Sequence, residues 1–199
     1  AASNKGLKLF ACADANLPPL VCGDAVRIRQ IINNLLSNAI KFTDSGRVVL
    51  RLKVIGIEPD HVSLQWQVSD TGIGISEQQL IRLFKPFSQV GGSERAGGAG
   101  LGLSICSRLS EMMGANLRVV SEPGLGSSFS LQMSLPVIAG ALVNSADIDL
   151  RNLNIHVRAP LKDIGQSLVD WLSTWGARAQ LLPVSEAEDR DAILLDIVA

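Results

Sequence analysis

Apolar residues recur at helical spacing near the start of the chain. Val26, Ile28, Ile31, Ile32, Leu35, Leu36, Ala39 and Ile40 form one broad stripe across residues 24–43. Asp24 precedes the stripe as an N-cap, and Thr43-Asp44-Ser45-Gly46 supplies a stop. The period then drops to two. Residues 47–55 (RVVLRLKVI) and 62–68 (VSLQWQV) alternate around the turn Glu58-Pro59-Asp60, which predicts a hairpin. Residues 7–13 predict an earlier strand, closed by Leu17-Pro18-Pro19. Ser76, with Gln79 three positions on, predicts a short helix reaching Phe84. Residues 103–113 predict a further helix ended by Gly114, and residues 116–121 and 127–135 two strands joined by Pro123-Gly124-Leu125-Gly126. About five strands and three helices result. The strands cluster in hairpins rather than in regular βαβ units. The expected class is therefore α+β, a two-layer α/β sandwich with helices on one face of a mostly antiparallel sheet.

Residues 1–137 make up this first domain, and residues 138–150, small and weakly periodic, read as a linker. Residues 151–199 predict a second, smaller α/β unit: a strand at 153–157, a helix at 161–175 with Leu168, Trp171, Leu172 and Trp175 along one side, and strands at 177–182 and 192–198. The crossover over residues 183–190 is shorter than a parallel connection usually needs.

A length of 199 residues suffices for one full domain and a smaller companion. The net charge of −1 offers no electrostatic case for binding nucleic acid. No apolar run approaches the length of a membrane span and no signal peptide opens the sequence, so no membrane contact is expected from this chain itself. Cys12, Cys22 and Cys106 are too few and too scattered for a disulfide framework or a zinc site; their apolar neighbours predict buried, reduced thiols.

Three stretches carry candidate chemistry. Asn34, Asn38 and Lys41 stand at i, i+4 and i+7 on the polar side of the first helix. Two amides and an ammonium suit a magnesium-bound polyphosphate, because Mg²⁺ takes oxygen ligands and lysine neutralises phosphate. Solvated residues on an outer helix face would have the same pattern. Asp70-Thr71-Gly72-Ile73-Gly74 follows directly on a predicted strand, where the carboxylate could accept a hydrogen bond from an exocyclic amine such as that of adenine; an ordinary solvated turn is the alternative. Gly97-Gly98-Ala99-Gly100-Leu101-Gly102-Leu103 precedes a helix whose free N–H groups could meet an anion. It is neither a Walker A loop nor a Rossmann fingerprint. With Phe84-Lys85-Pro86-Phe87 upstream, residues 88–96 read either as a lid over a nucleotide or as a surface loop.

In order and spacing these stretches resemble the catalytic ATP-binding domain of bacterial sensor histidine kinases, within the ATPase superfamily shared with gyrase, the ninety-kilodalton heat-shock chaperone and the mismatch-repair ATPase. The boxes are Asn34–Phe42, Asp70–Gly74, Phe84–Phe87, Gly98–Leu103 and Glu122–Ser127, and the resemblance covers about residues 5–136. The asparagine box running on into Lys41-Phe42-Thr43 is most similar to hybrid kinases of phosphorelays.

The resemblance implies a Bergerat-type ATP-binding fold with ATP and Mg²⁺ as cofactors. Asn38 would be the better metal ligand, with Asn34 beside it, and Lys41 would meet a phosphate. Asp70 would hold the adenine amine, helped by a water on Ser127; Gly72 and Gly74 would shape the adenine pocket. Gly98, Gly100, Leu101, Gly102 and Leu103 would open a helix against the phosphates, and Phe87 would anchor the lid. Hydrolysing relatives carry Glu where this chain has Asn34, so the resemblance favours phosphoryl transfer to a histidine over hydrolysis. A hydrolysing ATPase and a non-catalytic interaction module are the rival readings.

Ala99 and Ala96 depart from the usual Thr and aromatic residue, and Arg95 stands alone for a basic pair, which predicts a loosely anchored lid. Neither His61 nor His156 has the sequence context of a phosphoacceptor, so the acceptor would lie on a separate dimerisation domain of the same protein. A downstream receiver or phosphotransfer domain is the other expected partner. The expected location is the cytoplasmic part of an inner-membrane sensor. The second unit resembles the first part of a response-regulator receiver. Asp196 falls where a receiver is phosphorylated, but His156-Val157-Arg158 lacks the acidic pair, so a degenerate or truncated, receiver-like interaction module is expected.

Overall fold

The computed structural model describes residue 2 and residues 5–87, 100–138, 148–183 and 192–197. The first domain runs β1 (Lys8–Ala13), α1 (Ala25–Phe42), β2 (Arg47–Ile57), β3 (His61–Asp70), α2 (Glu77–Leu80), α3 (Gly102–Met112), β4 (Asn116–Glu122) and β5 (Gly126–Pro136). Its five strands form one sheet in the order β1-β2-β3-β5-β4. Only the β1–β2 pair is parallel; the hairpins β2–β3 and β4–β5 are antiparallel, and so is the long-range β3–β5 pair that joins them.

The alternation of the strands decides which face is covered. Val62, Leu64 and Val68 of β3 and Phe129, Leu131, Met133 and Leu135 of β5 point one way and bury against Ile31, Ile32, Leu35 and Ala39 of α1 and Cys106 of α3. The other face is polar. There Gln67 Nε2 donates to Ser128 Oγ (2.8 Å) and Gln132 Nε2 to Gln65 Oε1 (2.7 Å) across the β3–β5 pair. This is the expected two-layer arrangement, with one sheet face solvated.

Three local expectations need correction. Val26 is 76 % exposed, because it lies in the first turn of α1, beyond the reach of the sheet. Cys22 is exposed rather than buried; it sits between the isolated Val21–Val137 bridge and the α1 N-cap, and only Cys106 is fully enclosed. Burial pushes the Cys106 thiol up to about 11, so it stays protonated. The helix that opens at Ser76 ends at Leu80, and residues 81–87 continue as turns. Gln79 Oε1 accepts from Ser76 N (2.9 Å) and Ser76 Oγ (3.0 Å), so the predicted start is correct and only the length is short.

The second unit contains β6 (Asn154–Arg158), α4 (Lys162–Thr174), β7 (Arg178–Leu181) and β8 (Ile193–Asp196), with β6 central and parallel to both neighbours. Ile155 and Val157 pack with Val169, Leu172 and Ala177 into a small separate core. Of the predicted linker at 138–150, residues 139–147 lie outside the described residues, as do residues 184–190 of the crossover at 183–190. Helix α4 serves two neighbours. While Val169 and Leu172 face its own sheet, Asp163, Ser167 and Trp171, spaced four apart, meet the first domain. Trp171 Nε1 and Ser167 Oγ both donate to the Ala13 carbonyl at the end of β1 (2.8 and 2.9 Å), and Asp163 pairs with the largely buried Arg51 at 2.9 Å.

Because one carbonyl accepts both bonds, the two donors back each other up. Trp171→Phe or Ser167→Ala alone should cost about 1 kcal/mol or less, whereas the double variant strands the carbonyl and should cost more than their sum, roughly 2–3 kcal/mol. Urea unfolding of the three variants reads this coupling.

Candidate functional site

Helix α1 begins where Asp24 Oδ1 accepts from Arg27 N (2.9 Å). Its apolar stripe fixes its rotation on the sheet, so Asn34 and Asn38 fall on the flank that faces α3. The two amides are half-buried, and Asn38 Nδ2 lies 3.4 Å from Asn34 Oδ1. A Cβ on Gly102 would stand 2.6 Å from Asn34 Oδ1, so the first residue of α3 is pressed onto that amide and a side chain there would displace it. Gly100, at φ 66°, turns the chain into α3. The N-cap, Leu101, makes no side-chain capping bond. The start of α3 therefore brings uncapped backbone N–H groups and a positive dipole end beside the amides of α1.

The second half of the site lies at the end of β3. Asp70 pairs with Ser127, the second residue of β5. Gly126 allows this approach, since a Cβ there would collide with the Asp70 carbonyl oxygen, and its φ of 102° suits glycine. Gly74 likewise has no room beside the Glu122 carbonyl oxygen, and a side chain on Gly72 would strike the Phe42 carbonyl oxygen. Phe42 O also accepts from Ile73 N (3.2 Å), so the Asp70–Gly74 loop is tied to the end of α1. Ser121 Oγ links three parts of the floor: it donates to Gly126 O (2.8 Å), accepts from Ile75 N (2.8 Å) and lies 3.0 Å from Ser127 Oγ.

Burial raises the Asp70 carboxyl above its usual value, while N–H groups of Gly72 and Ser127 pull the other way. Gly72 N donates to Asp70 Oδ1 at 2.8 Å. A partly desolvated carboxylate of this kind can accept from an exocyclic amine with more energy than a solvated one.

The structure brings Asn34 and Asn38 together, sets Gly102 against Asn34, pairs Asp70 with Ser127 and ties the Gly72 loop to the end of α1; Lys41 lies in the last turn of α1, Gly74 in the β3 loop, and Gly100, Leu101 and Leu103 at the α3 start. The Lys41 ammonium lies 5.1 Å from the Phe42 ring centre. Phe87 is 74 % exposed with φ 61°, whereas Phe84 of the same box packs against the core. Gly98 and the departures at Arg95, Ala96 and Ala99 lie outside the described residues. Sequence reasoning missed Ser121, a serine in a strand with no distinguishing context, and Gly126, which the turn motif already contained. No cluster of three or more His, Cys, Asp or Glu side chains suited to a metal occurs among the described residues. Among the described residues the Asn34 amide oxygen lies against the α3 start with the Asn38 amide beside it, which suits a cation that draws its other ligands from phosphate and water.

The chain matches the family described as histidine kinase-, DNA gyrase B- and HSP90-like ATPase over residues 23–137. It is 44 % identical over 133 residues to the sensor histidine kinase RcsC of Escherichia coli, covering 66 % of this chain and 14 % of that protein. To the sensor protein GacS of Pseudomonas syringae it is 42 % identical over 159 residues, covering 79 % of this chain and 18 % of that one. It therefore spans only a small part of these relatives. The crystal structure of full-length ShkA in complex with AMPPNP matches 98 % of this chain and 40 % of its own, at 30 % identity and a TM-score of 0.73.

The raised Asp70 pKa has a measurable sign. The folded state holds this proton more tightly than the unfolded chain, so its contribution to stability is fully present below the ordinary value of 3.8 and is lost as pH rises through the raised folded value. Asp70→Asn should remove that penalty: at pH 7 the ligand-free variant should melt no lower than the wild type. The comparison should shift in favour of the wild type below pH 4. Thermal melts at the two pH values check both halves.

Proposed function

The chain belongs to the histidine kinase-, DNA gyrase B- and HSP90-like ATPase family, and we propose that it is the catalytic ATP-binding domain of a hybrid sensor histidine kinase. It binds Mg-ATP and donates the γ-phosphoryl group to a histidine on a separate dimerisation domain of the same protein, leaving ADP. The observation that carries this reading is the convergence of three unlike features: a partly buried carboxylate at the end of β3, paired amides on α1 and an uncapped helix start at α3.

Asp70 accepts the adenine amine, with Ser127, held by its bond to Ser121, carrying a bridging water, and Gly72 and Gly74 let the loop backbone lie close to the ring. Asn38, with Asn34 beside it, supplies amide oxygen to Mg²⁺, which neutralises charge on the transferring group. Lys41 meets a phosphate as a point charge. Gly98, Gly100, Leu101, Gly102 and Leu103 set the α3 amides against the phosphates, and Phe87 anchors the lid. Catalysis in such a site is positioning and charge neutralisation. An asparagine amide does not take a proton at neutral pH, so Asn34 does not activate water as a general base, which supports transfer to a protein histidine over hydrolysis.

The second unit, residues 151–199 after a linker at 138–150, is a degenerate receiver-like module that does not accept phosphate. Arg158, at the end of β6, stands where a receiver needs an acid, and its guanidinium lies 3.8 Å from Asp196. The natural partners are the histidine-bearing dimerisation domain and a downstream receiver or phosphotransfer domain. The setting is the cytoplasmic side of an inner-membrane sensor.

Calorimetric titration with AMPPNP, with and without Mg²⁺, tests the site. Asp70→Asn loses a bond to a charged group, roughly 1.5–3 kcal/mol, so its affinity should fall about ten- to a hundredfold. Asn38→Ala should abolish most of the Mg²⁺-dependent gain and leave metal-free binding nearly unchanged. A folded wild-type chain that binds no nucleotide would overturn the reading and favour a non-catalytic module.

A further inference from the structure

The C-terminus of α1 is closed by Lys5, a residue outside the proposed nucleotide site whose ammonium donates to backbone carbonyls of the helix end. A helix leaves its last four carbonyls without intrahelical partners. Here each is met. Ala39 O accepts from the Thr43 hydroxyl (2.7 Å), and Thr43 is fully buried. Phe42 O accepts from Ile73 N of the Asp70–Gly74 loop. The remaining two, Ile40 O (3.1 Å) and Lys41 O (2.9 Å), accept from the ammonium of Lys5, which also donates to Thr43 O (3.1 Å). Asp44 lies 3.6 Å from the same nitrogen.

An ammonium has three N–H donors, and Lys5 directs all three at carbonyls of one helix end. It has none left for a phosphate. Its charge also sits at the negative end of the α1 dipole. We propose that Lys5 is a positioning residue: it holds the last turn of α1 in helical geometry, and so fixes where Lys41 and, one turn earlier, Asn38 present their side chains to the polyphosphate. The inference rests on the nucleotide-binding reading given above.

The adenine half of the site has its own tether. The Ile73–Phe42 bond and the tight contact of Gly72 with the Phe42 carbonyl do not involve Lys5. Loss of Lys5 should thus affect phosphate recognition and spare adenine recognition. A residue with a purely structural role would weaken both alike.

Displacement of a fluorescent trinitrophenyl ATP from the full chain separates the two. Mg-AMPPNP and adenosine serve as competitors for the wild type, Lys5→Met, Lys5→Arg and Asp70→Asn. Lys5→Met should bind Mg-AMPPNP about tenfold more weakly and adenosine as the wild type does. Lys5→Arg, which keeps the charge and the donors, should recover most of the loss, and Asp70→Asn should weaken both competitors. Should Lys5→Met fail to fold, as judged by circular dichroism, Lys5→Gln keeps two N–H donors without the charge and replaces it in the comparison. A wild type that binds Mg-AMPPNP with an affinity Lys5→Met shares would overturn the role of Lys5 and leave the nucleotide site standing. Equal losses for both competitors would reduce Lys5 to a stabilising cap and also overturn the proposal. A wild type that displaces nothing removes the nucleotide site and the inference with it.

Discussion

The antiparallel pairing of β3 with β5 sets Asp70 opposite Ser127, and the rest of the site is built outward from that register. Side chains alternate along a strand, so a slip of one residue would turn Val62, Leu64 and Val68 to solvent and take Asp70 away from its partner. The apolar alternation of both strands locks the register, because each buried side chain on β3 has a buried counterpart on β5 within the same core. The energy that fixes a polar site thus comes from hydrophobic packing along the whole β3–β5 pair that ends at it. Gly126 and Gly74 then let backbone approach backbone at the sheet's end, where any side chain would collide with a carbonyl.

Helix α1 joins the two halves. Its apolar stripe sits on the sheet, one flank bears Asn34 and Asn38 against the α3 start, and its last carbonyls are bound by the β3 loop and by Lys5. The helix is therefore held along its side by packing and at its end by hydrogen bonds. A site divided between a carboxylate at one place and amides at another needs such a rigid connection, since polyphosphate contacts lose their value with small displacements. The partly desolvated Asp70 carries a cost in the ligand-free fold that a buried polar ligand would offset, as sites of specific recognition commonly do.

The second unit solves a different problem. Strand β1 is an edge, and an exposed edge invites pairing with other chains. Helix α4 covers the end of that edge through Trp171 and Ser167, and the Asp163–Arg51 pair fixes its orientation. The helix can do this because its two faces carry different chemistry: aliphatic toward its own sheet, polar and aromatic toward the neighbour.

The sequence by itself determined the elements of the first domain, their order and the one-sided core, and it nominated the candidate site residues. These are consequences of local period, caps and turn chemistry, and the five spaced boxes added the family resemblance. Where local pattern misled, as at Val26 and Cys22, the reason was position: apolar residues at an element's first turn or in a loop have no surface to bury against. Only the tertiary structure decided the parallel placement of β1 beside β2, the contact of Gly102 with Asn34, the bridging hydroxyl of Ser121 and the reach of Lys5 across to the end of α1. Each joins residues far apart in the chain, and a long flexible side chain such as Lys5 leaves no periodic trace of the partner it will find. Hydrophobic spacing reports which residues leave water; which polar groups then meet is fixed by the packing of whole elements.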